Sequence, residues 1–437
     1  MSTSEKKEKT VYVGITGDMI HPGIINIIQQ GAKYGRLIVG LLTNSAIATH
    51  KRIPYLTYEQ RKKILENIKG VSEVVPQEDW SYVPNLEKLK PDYIIHGDDW
   101  KTNYLKNIRS EVYEVMKKIG GEVIEIPYTK GINSSKIFEN KINIGVTQEQ
   151  RLKTLKRLIR SKPIVRILEA HSGLSGLIIE NLEIEKEDGV HRFDGMWMSS
   201  QSEMTGIDTV EVDPVDFETR LNTLSDILEC TTKPIIYGGD SNEFPEKFSA
   251  MVKTLERKGI SAVILSDKTT KNSILHPNDS EVLCGEEEFC NKIKEGKISQ
   301  LTDDFMIIAK IEELSLGKTV DDAFNKALAC IKAGADGILV TDKEKSGERI
   351  KEFCLKLRKE NKEIPIILVP YEYDQITEKE MNEWGANIII YTNYLRKAAY
   401  PAMKKCAETI LKSERSLEVN EMCMPIKEIL TLIPGTS

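Results

Sequence analysis

Short apolar runs alternate with longer amphipathic stretches along almost the whole chain, and the alternation starts twice. Residues 1–10 lack the pattern and read as disordered. Val11–Ile15 then predicts a strand, Ile24–Tyr34 a helix and Arg36–Thr43 (RLIVGLLT) a second strand. Thr57–Ile68 carries apolar residues at helical spacing, and Val71–Val75, Tyr93–His96 and Glu122–Ile126 read as further short strands. This order predicts a small doubly wound α/β domain over residues 10–145. A connecting segment, 146–162, holds a basic helix over about 147–161.

From Pro163 the alternation restarts. Val165–Leu168, Gly195–Met198, Pro234–Tyr237, Ser261–Leu265, Met306–Ile311, Gly337–Val340, Ile366–Pro370 and Ile388–Tyr391 are eight strand candidates with helical segments between them. Eight such units in one domain predict a (β/α)8 TIM barrel over 163–437. Active sites of that fold lie at the C-terminal strand ends. Those ends hold Glu169, Ser199, Gly238–Asp240, Ser266–Lys268, Glu312, Thr341–Asp342, Tyr371 and Asn393.

Composition narrows the function classes. Hydrophobic residues make up 40% and charged residues 29%, enough for an ordinary core, and the net charge of -6 gives no general attraction to nucleic acid. No apolar stretch approaches the ~20 residues of a membrane span. The Ser-, Lys- and Glu-rich start does not read as a signal peptide. Seven scattered cysteines without a CxxC pair predict free thiols and a cytoplasmic location.

Chemistry concentrates first in Val11-Tyr-Val-Gly-Ile-Thr-Gly-Asp-Met-Ile-His-Pro-Gly-Ile24. A strand ends in a Gly-Asp turn, and His21-Pro-Gly opens a helix, which directs an imidazole and backbone N–H groups at one anion. His21 is positioned to donate to an α-phosphate as charge builds there. Lys51, with Arg61 nearby, can neutralise a triphosphate. His96-Gly-Asp-Asp-Trp100 follows, and Asn133-Ser134-Ser135 can cap a helix and offer hydroxyls to phosphate. These four features, in this order, resemble the cytidylyltransferase family over about residues 10–140. The resemblance implies CTP as substrate and a nucleotide site formed by Gly14, Thr16, Asp18, His21, Lys51, Arg61, Gly97, Asp98, Asp99, Trp100, Asn133, Ser134 and Ser135, with His21 and Lys51 catalytic. Two departures stand out. The family's His-x-Gly-His reads His21-Pro-Gly-Ile24, and its Arg-Thr-x-Gly-Ile-Ser-Thr-Thr reads Tyr128-Thr-Lys-Gly-Ile-Asn-Ser-Ser135. Losing one transition-state donor costs roughly 3 kcal/mol, about a hundredfold in rate.

The second half carries Arg166-Ile-Leu-Glu-Ala-His-Ser-Gly173, Phe193-Asp-Gly-Met-Trp-Met-Ser-Ser200, Lys233-Pro-Ile-Ile-Tyr-Gly-Gly-Asp240, Asp267-Lys268 with Asn272-Ser273, Ile308-Ala-Lys-Ile-Glu312 and Gly334-Ala-Asp-Gly337. This series looks like phosphoenolpyruvate mutase of the isocitrate lyase superfamily, from about Pro163 to Gly435. The resemblance implies isomerisation of phosphoenolpyruvate to phosphonopyruvate with Mg2+. It assigns Lys268 and Lys310 to catalysis, Trp197, Ser199, Asn272, Ser273 and Asn393 to substrate, and Asp240, Asp267 and Glu312 to metal. Four chemical positions differ. Gly238 replaces the principal metal-binding Asp, Ser266 a Glu, Lys310 an Arg and Thr341 a His. The metal site is therefore expected to be weakened, and Lys310 keeps the charge of an Arg without its bidentate fork.

The two resemblances together imply a phosphonate-biosynthesis enzyme acting on small phosphate or phosphonate substrates, and a homodimer or homotetramer. Two alternatives stay open. The barrel is a catalytically degenerate binding or oligomerisation scaffold, or it has shifted to another 2-oxo acid or enolpyruvate.

Overall fold

The computed structural model describes residues 8–101, 105–127, 145–186, 188–199, 217–239, 245–269 and 282–432, with residues 99, 245, 246, 268, 269 and 282 described by backbone alone. They form two units. In the first, strands β1 (Thr10–Ile15), β2 (Arg36–Leu42), β3 (Glu73–Gln77), β4 (Tyr93–Gly97) and β5 (Glu122–Ile126) make a parallel sheet in the order β3-β2-β1-β4-β5. β1 pairs with β2 on one side, Val11 opposite Leu37, and with β4 on the other, Val11 opposite Tyr93. Helices cover both faces, so strands such as β2 read as continuous apolar runs. The helices are α1 (Pro22–Gly31), α2 (Asn44–His50), α3 (Tyr58–Glu66), α4 (Val83–Leu89) and α5 (Leu105–Ile119). Chain direction across the sheet reverses between β1 and β4. Ligands of open α/β sheets bind in the crevice beyond that reversal, at the strands' carboxyl ends.

The second unit is a closed barrel of eight parallel strands in chain order. They are Val165–Glu169, Gly195–Met198, Ile235–Gly238, Ala262–Ser266, Met306–Ile311, Gly337–Val340, Ile366–Leu368 and Ile388–Tyr391, first to eighth. Side chains of a strand alternate between lumen and helix layer. Leu168, Met196, Met198, Tyr237, Leu265, Ala309, Ile311, Val340 and Ile389 join the cluster shared with the helices. The pleat then turns Glu169, Trp197, Ser199, Gly238, Ser266, Lys310, Glu312, Thr341 and Thr392 toward the lumen.

The helix Gln148–Ser161, read from sequence as a connection, is built into this unit. Leu155 and Leu158 are buried, Arg151 donates to the Thr231 carbonyl at 2.8 Å, and the Arg151 carbonyl accepts from Ser261 Oγ at 2.8 Å. A two-stranded sheet absent from the sequence expectations, Glu183–Lys186 with Gly189–Arg192, follows the first barrel helix. Its residues Glu185–His191 group with the first unit. Among the described residues no helix is long and apolar enough to cross a membrane.

Candidate functional sites

In the first unit the loop after β1 runs into α1, with Pro22 in its first turn. His21 is the N-cap, and its Nδ1 accepts from the Gly23 N–H at 3.2 Å. Burial lowers the imidazole pKa below 6.5, so the ring is neutral at pH 7. With Nδ1 an acceptor, the proton sits on Nε2, leaving that nitrogen a donor. The cap thus fixes the tautomer that donation to a phosphate oxygen requires. Asp18 supports the same loop: its Oδ1 accepts from the N–H groups of Tyr55 (2.7 Å) and Leu56 (3.1 Å). Lys51 is exposed at the end of α2, with its ammonium 5.4 Å from the centre of the Trp80 ring.

Three residues assigned to nucleotide have other work. Arg61 is fully buried. Its guanidinium donates to the carbonyls of Thr16 and Leu42, the latter at 2.9 Å, and to Asn44 Oδ1 at 2.6 Å. It ties the β1 loop to the end of β2, which positions the site without reaching a triphosphate. Trp100 is also fully buried; its ring stacks on His96 at 4.0 Å, and its Nε1–H donates to Glu125 Oε1 at 2.8 Å. Burial disfavours the Glu125 carboxylate, but hydrogen bonds from Arg109, Lys101 and Trp100 outweigh it and hold the pKa at about 2. Gly14 answers to packing, since a Cβ there would lie 2.4 Å from the Tyr82 ring. Thr16 and Asp18 do follow β1, and Gly97 and Asp98 close β4, at the two edges of the crevice. The Asp99 side chain, Asn133, Ser134 and Ser135 lie outside the described residues.

The barrel mouth holds two polar sets. Glu169, 2% exposed, ends the first strand. It accepts from Ser199 Oγ (2.6 Å), Thr392 Oγ1 (3.1 Å) and the Asn393 N–H, and Arg396 stands 4.0 Å away. Asn393 adopts a left-handed backbone, φ 64°, which aims its N–H at that carboxylate. Across the lumen, Glu312 Oε1 pairs with Lys310 Nζ at 2.8 Å, and its Oε2 accepts from Thr341 Oγ1, also at 2.8 Å. Ser315 Oγ donates in turn to Thr341 at 3.0 Å. Lys310 lies in register with Ser266, so three of the four exchanged positions border one set.

Sequence reasoning assigned no role to two buried residues here. Glu169 was visible as an acid ending an apolar strand. Arg220, whose guanidinium donates to the carbonyls of Ser199 (3.0 Å) and Gly238 (2.6 Å) and covers the Tyr237 ring at 4.2 Å, had no local signal.

Asp267, assigned to metal, is turned away from the lumen. It follows Ser266 by one residue, and the pleat puts it on the helix side. There it pairs with Lys326 Nζ at 2.9 Å and accepts from the Glu312 N–H at 3.1 Å; Lys326 also meets Glu313 at 3.2 Å. Burial, eased by Lys326 and reinforced by Glu313, pushes its pKa up to about 7. Trp197 is 3% exposed, and its Nε1 meets no acceptor among the described residues. Asp240, Asn272, Ser273 and the Lys268 side chain lie outside the described residues.

Magnesium requires oxygen ligands in near-octahedral array, usually including one or two carboxylates. Among the described residues no three His, Cys, Asp or Glu side chains gather to hold a metal. Glu312 is already charge-paired, Asp267 faces outward, Glu169 already accepts from three donors, and Gly238 brings no side-chain oxygen. The described residues do not fit the ion.

A closed barrel with a polar mouth, together with a parallel sheet whose reversal carries a capped imidazole, defines a protein of two enzyme-type modules. The chain belongs to the phosphoenolpyruvate phosphomutase family, whose profile matches residues 155–411, more than half its length. A cytidylyltransferase-like profile matches residues 12–140. The phosphoenolpyruvate phosphomutase of Tetrahymena pyriformis is 29% identical over 299 residues, 68% of this chain and 95% of that protein. The glycerol-3-phosphate cytidylyltransferase of Bacillus spizizenii is 32% identical over 131 residues, 30% of this chain and 94% of that protein. The crystal structure of the phosphoenolpyruvate phosphomutase from Streptomyces platensis subsp. rosaceus superposes with a TM-score of 0.57 at 27% identity, covering 64% of this chain and 94% of its own.

Proposed function

We propose that the chain is an enzyme of phosphonate biosynthesis, in which the barrel interconverts phosphoenolpyruvate and phosphonopyruvate and the first unit transfers a nucleotidyl group from CTP to a small phosphate or phosphonate. The observation that carries the nucleotidyl reading is the His21 cap, which fixes a neutral imidazole with Nε2–H at the sheet reversal. The exposed Lys51 at the end of α2 is the cation assigned to the triphosphate in this reading. For the barrel the support is the lumen-facing Lys310, with Ser199 and Asn393 held by Glu169.

The exchanged positions around Lys310 favour a second reading, in which the barrel acts on another 2-oxo acid or enolpyruvate. 31P NMR of the intact protein with phosphonopyruvate, CTP and Mg2+ separates the two. A phosphoenolpyruvate resonance supports the first reading for the barrel, and a CMP-ester resonance supports it for the first unit. Unchanged phosphonopyruvate supports the second reading for the barrel, and unchanged CTP removes the nucleotidyl reading for the first unit. A homodimer or homotetramer belongs to the same proposal. Tyr400, Met403 and Leu411 are 64%, 71% and 79% exposed on the helix Tyr394–Ser413, an apolar surface that a second copy would cover. Sedimentation as a monomer removes it.

A further inference from the structure

The described part of the barrel mouth carries its own counter-charge. Among the described lumen-facing carboxylates, Glu312 is paired with Lys310 at 2.8 Å and Glu169 stands 4.0 Å from Arg396. Among the described residues, two anions therefore meet two cations. A magnesium site is built the other way, with carboxylates in excess whose mutual repulsion the dication relieves. Here an ammonium already neutralises Glu312, and the Thr341 hydroxyl takes its second oxygen. A dication approaching that carboxylate would meet the ammonium's repulsion at contact range. The exchanges read as one change: Gly238 removes a ligand, and Lys310 and Thr341 occupy the oxygens of Glu312.

An independent observation points to a ligand. Trp197 is buried on the lumen face of the second strand, and its Nε1–H meets no acceptor among the described residues. Buried indole N–H groups usually have partners, so this donor is suited to a ligand oxygen.

We infer that the barrel binds its anionic substrate without a divalent cation, with the Lys310 ammonium in the metal's place and Trp197 Nε1–H donating to the same ligand. The ligand class is a small 2-oxo acid bearing a second acidic group. This rests on the reading of the barrel as a site for such acids.

The test is calorimetric titration of the full-length protein with phosphonopyruvate, once in EDTA and once with millimolar MgCl2. The expected dissociation constants agree within about threefold. Lys310→Met is expected to weaken binding in both buffers by about tenfold or more, as loss of a charged contact should. Lys310→Arg, keeping the charge, recovers most of it. Trp197→Phe, keeping the packing, weakens binding about threefold to tenfold. Thermal unfolding of each variant reports whether it is folded. Binding that appears only with Mg2+, or that survives Lys310→Met in a folded protein, overturns the inference and leaves the substrate reading standing. No binding by the unaltered protein in either buffer overturns both.

Discussion

The first unit and the barrel each lack residues that similar proteins carry, and they fill the gaps differently. In the first unit the second histidine of the motif is Ile24, which packs against the core cluster containing Val11, Ile15, Ile28 and Val39. Ile24 fills the position by hydrophobic packing, and His21 keeps its cap on the Gly23 N–H. In the barrel, Lys310 and Thr341 touch the same carboxylate, Glu312. Those exchanges replace one polar arrangement with another. A missing motif residue thus has two physical meanings, a vacancy closed by packing or a site rebuilt as a set, and only the contacts distinguish them.

The sharpest test of this contrast separates a buried supporting cation from an exposed one. Arg61→Met strips donors from buried carbonyls and is expected to destabilise the protein by about 3 kcal/mol or more, read by chemical denaturation. Lys51→Ala should leave stability within about 0.5 kcal/mol yet weaken CTP binding about tenfold; unchanged CTP affinity would remove Lys51 from the site. Next comes His21→Asn, which keeps a capping acceptor and removes the Nε2 donor. Nucleotidyl transfer is expected to fall about a hundredfold with little change in stability, and an equal loss of both would make His21 merely a cap.

Repair should work in one unit and fail in the other. Ile24→His restores the absent donor and should raise nucleotidyl transfer by about tenfold to a hundredfold. Thr341→His alone should not raise barrel turnover, because Lys310 and Gly238 remain; a gain there would mean that the exchanges are independent. The smallest effect concerns pH. Burial places the folded-state pKa of His21 below its unfolded value of 6.5. Its contribution to stability is therefore full above 6.5 and falls as pH drops through the folded value. The unfolding free energy should decline from pH 7 to pH 5, and His21→Asn should remove part of that decline.

Much of the architecture was legible in the chain because both units obey simple periods. Runs such as Gly337–Val340 and Ile388–Tyr391 are covered on both faces, so they stand out as uninterrupted apolar segments. The ends of those strands correctly delimited the mouth. Side-chain direction was the weaker reading. The motif groups Asp267 with Glu312 in one site, although the two-residue pleat that turns Ser266 inward turns Asp267 outward. Arg61 and Trp100 were misjudged for another reason. A buried guanidinium on carbonyls looks the same in sequence as a phosphate ligand, and the partners Leu42 and Glu125 are distant in the chain. The helix 148–161 read as a connection because its basic residues mask Leu152, Leu155 and Leu158, which pack inward.

One feature links the barrel mouth to the end of the chain. Thr392, Asn393 and Arg396 all approach Glu169, and they lead directly into the helix Tyr394–Ser413, whose one buried residue is Arg396. Glu169 also holds Ser199. The mostly exposed helix is thus anchored by its first turn to a carboxylate deep in the mouth. Cutting the chain before Thr392 would strand Glu169 with a single hydroxyl donor, so a deletion made to trim a surface element would disarm the interior.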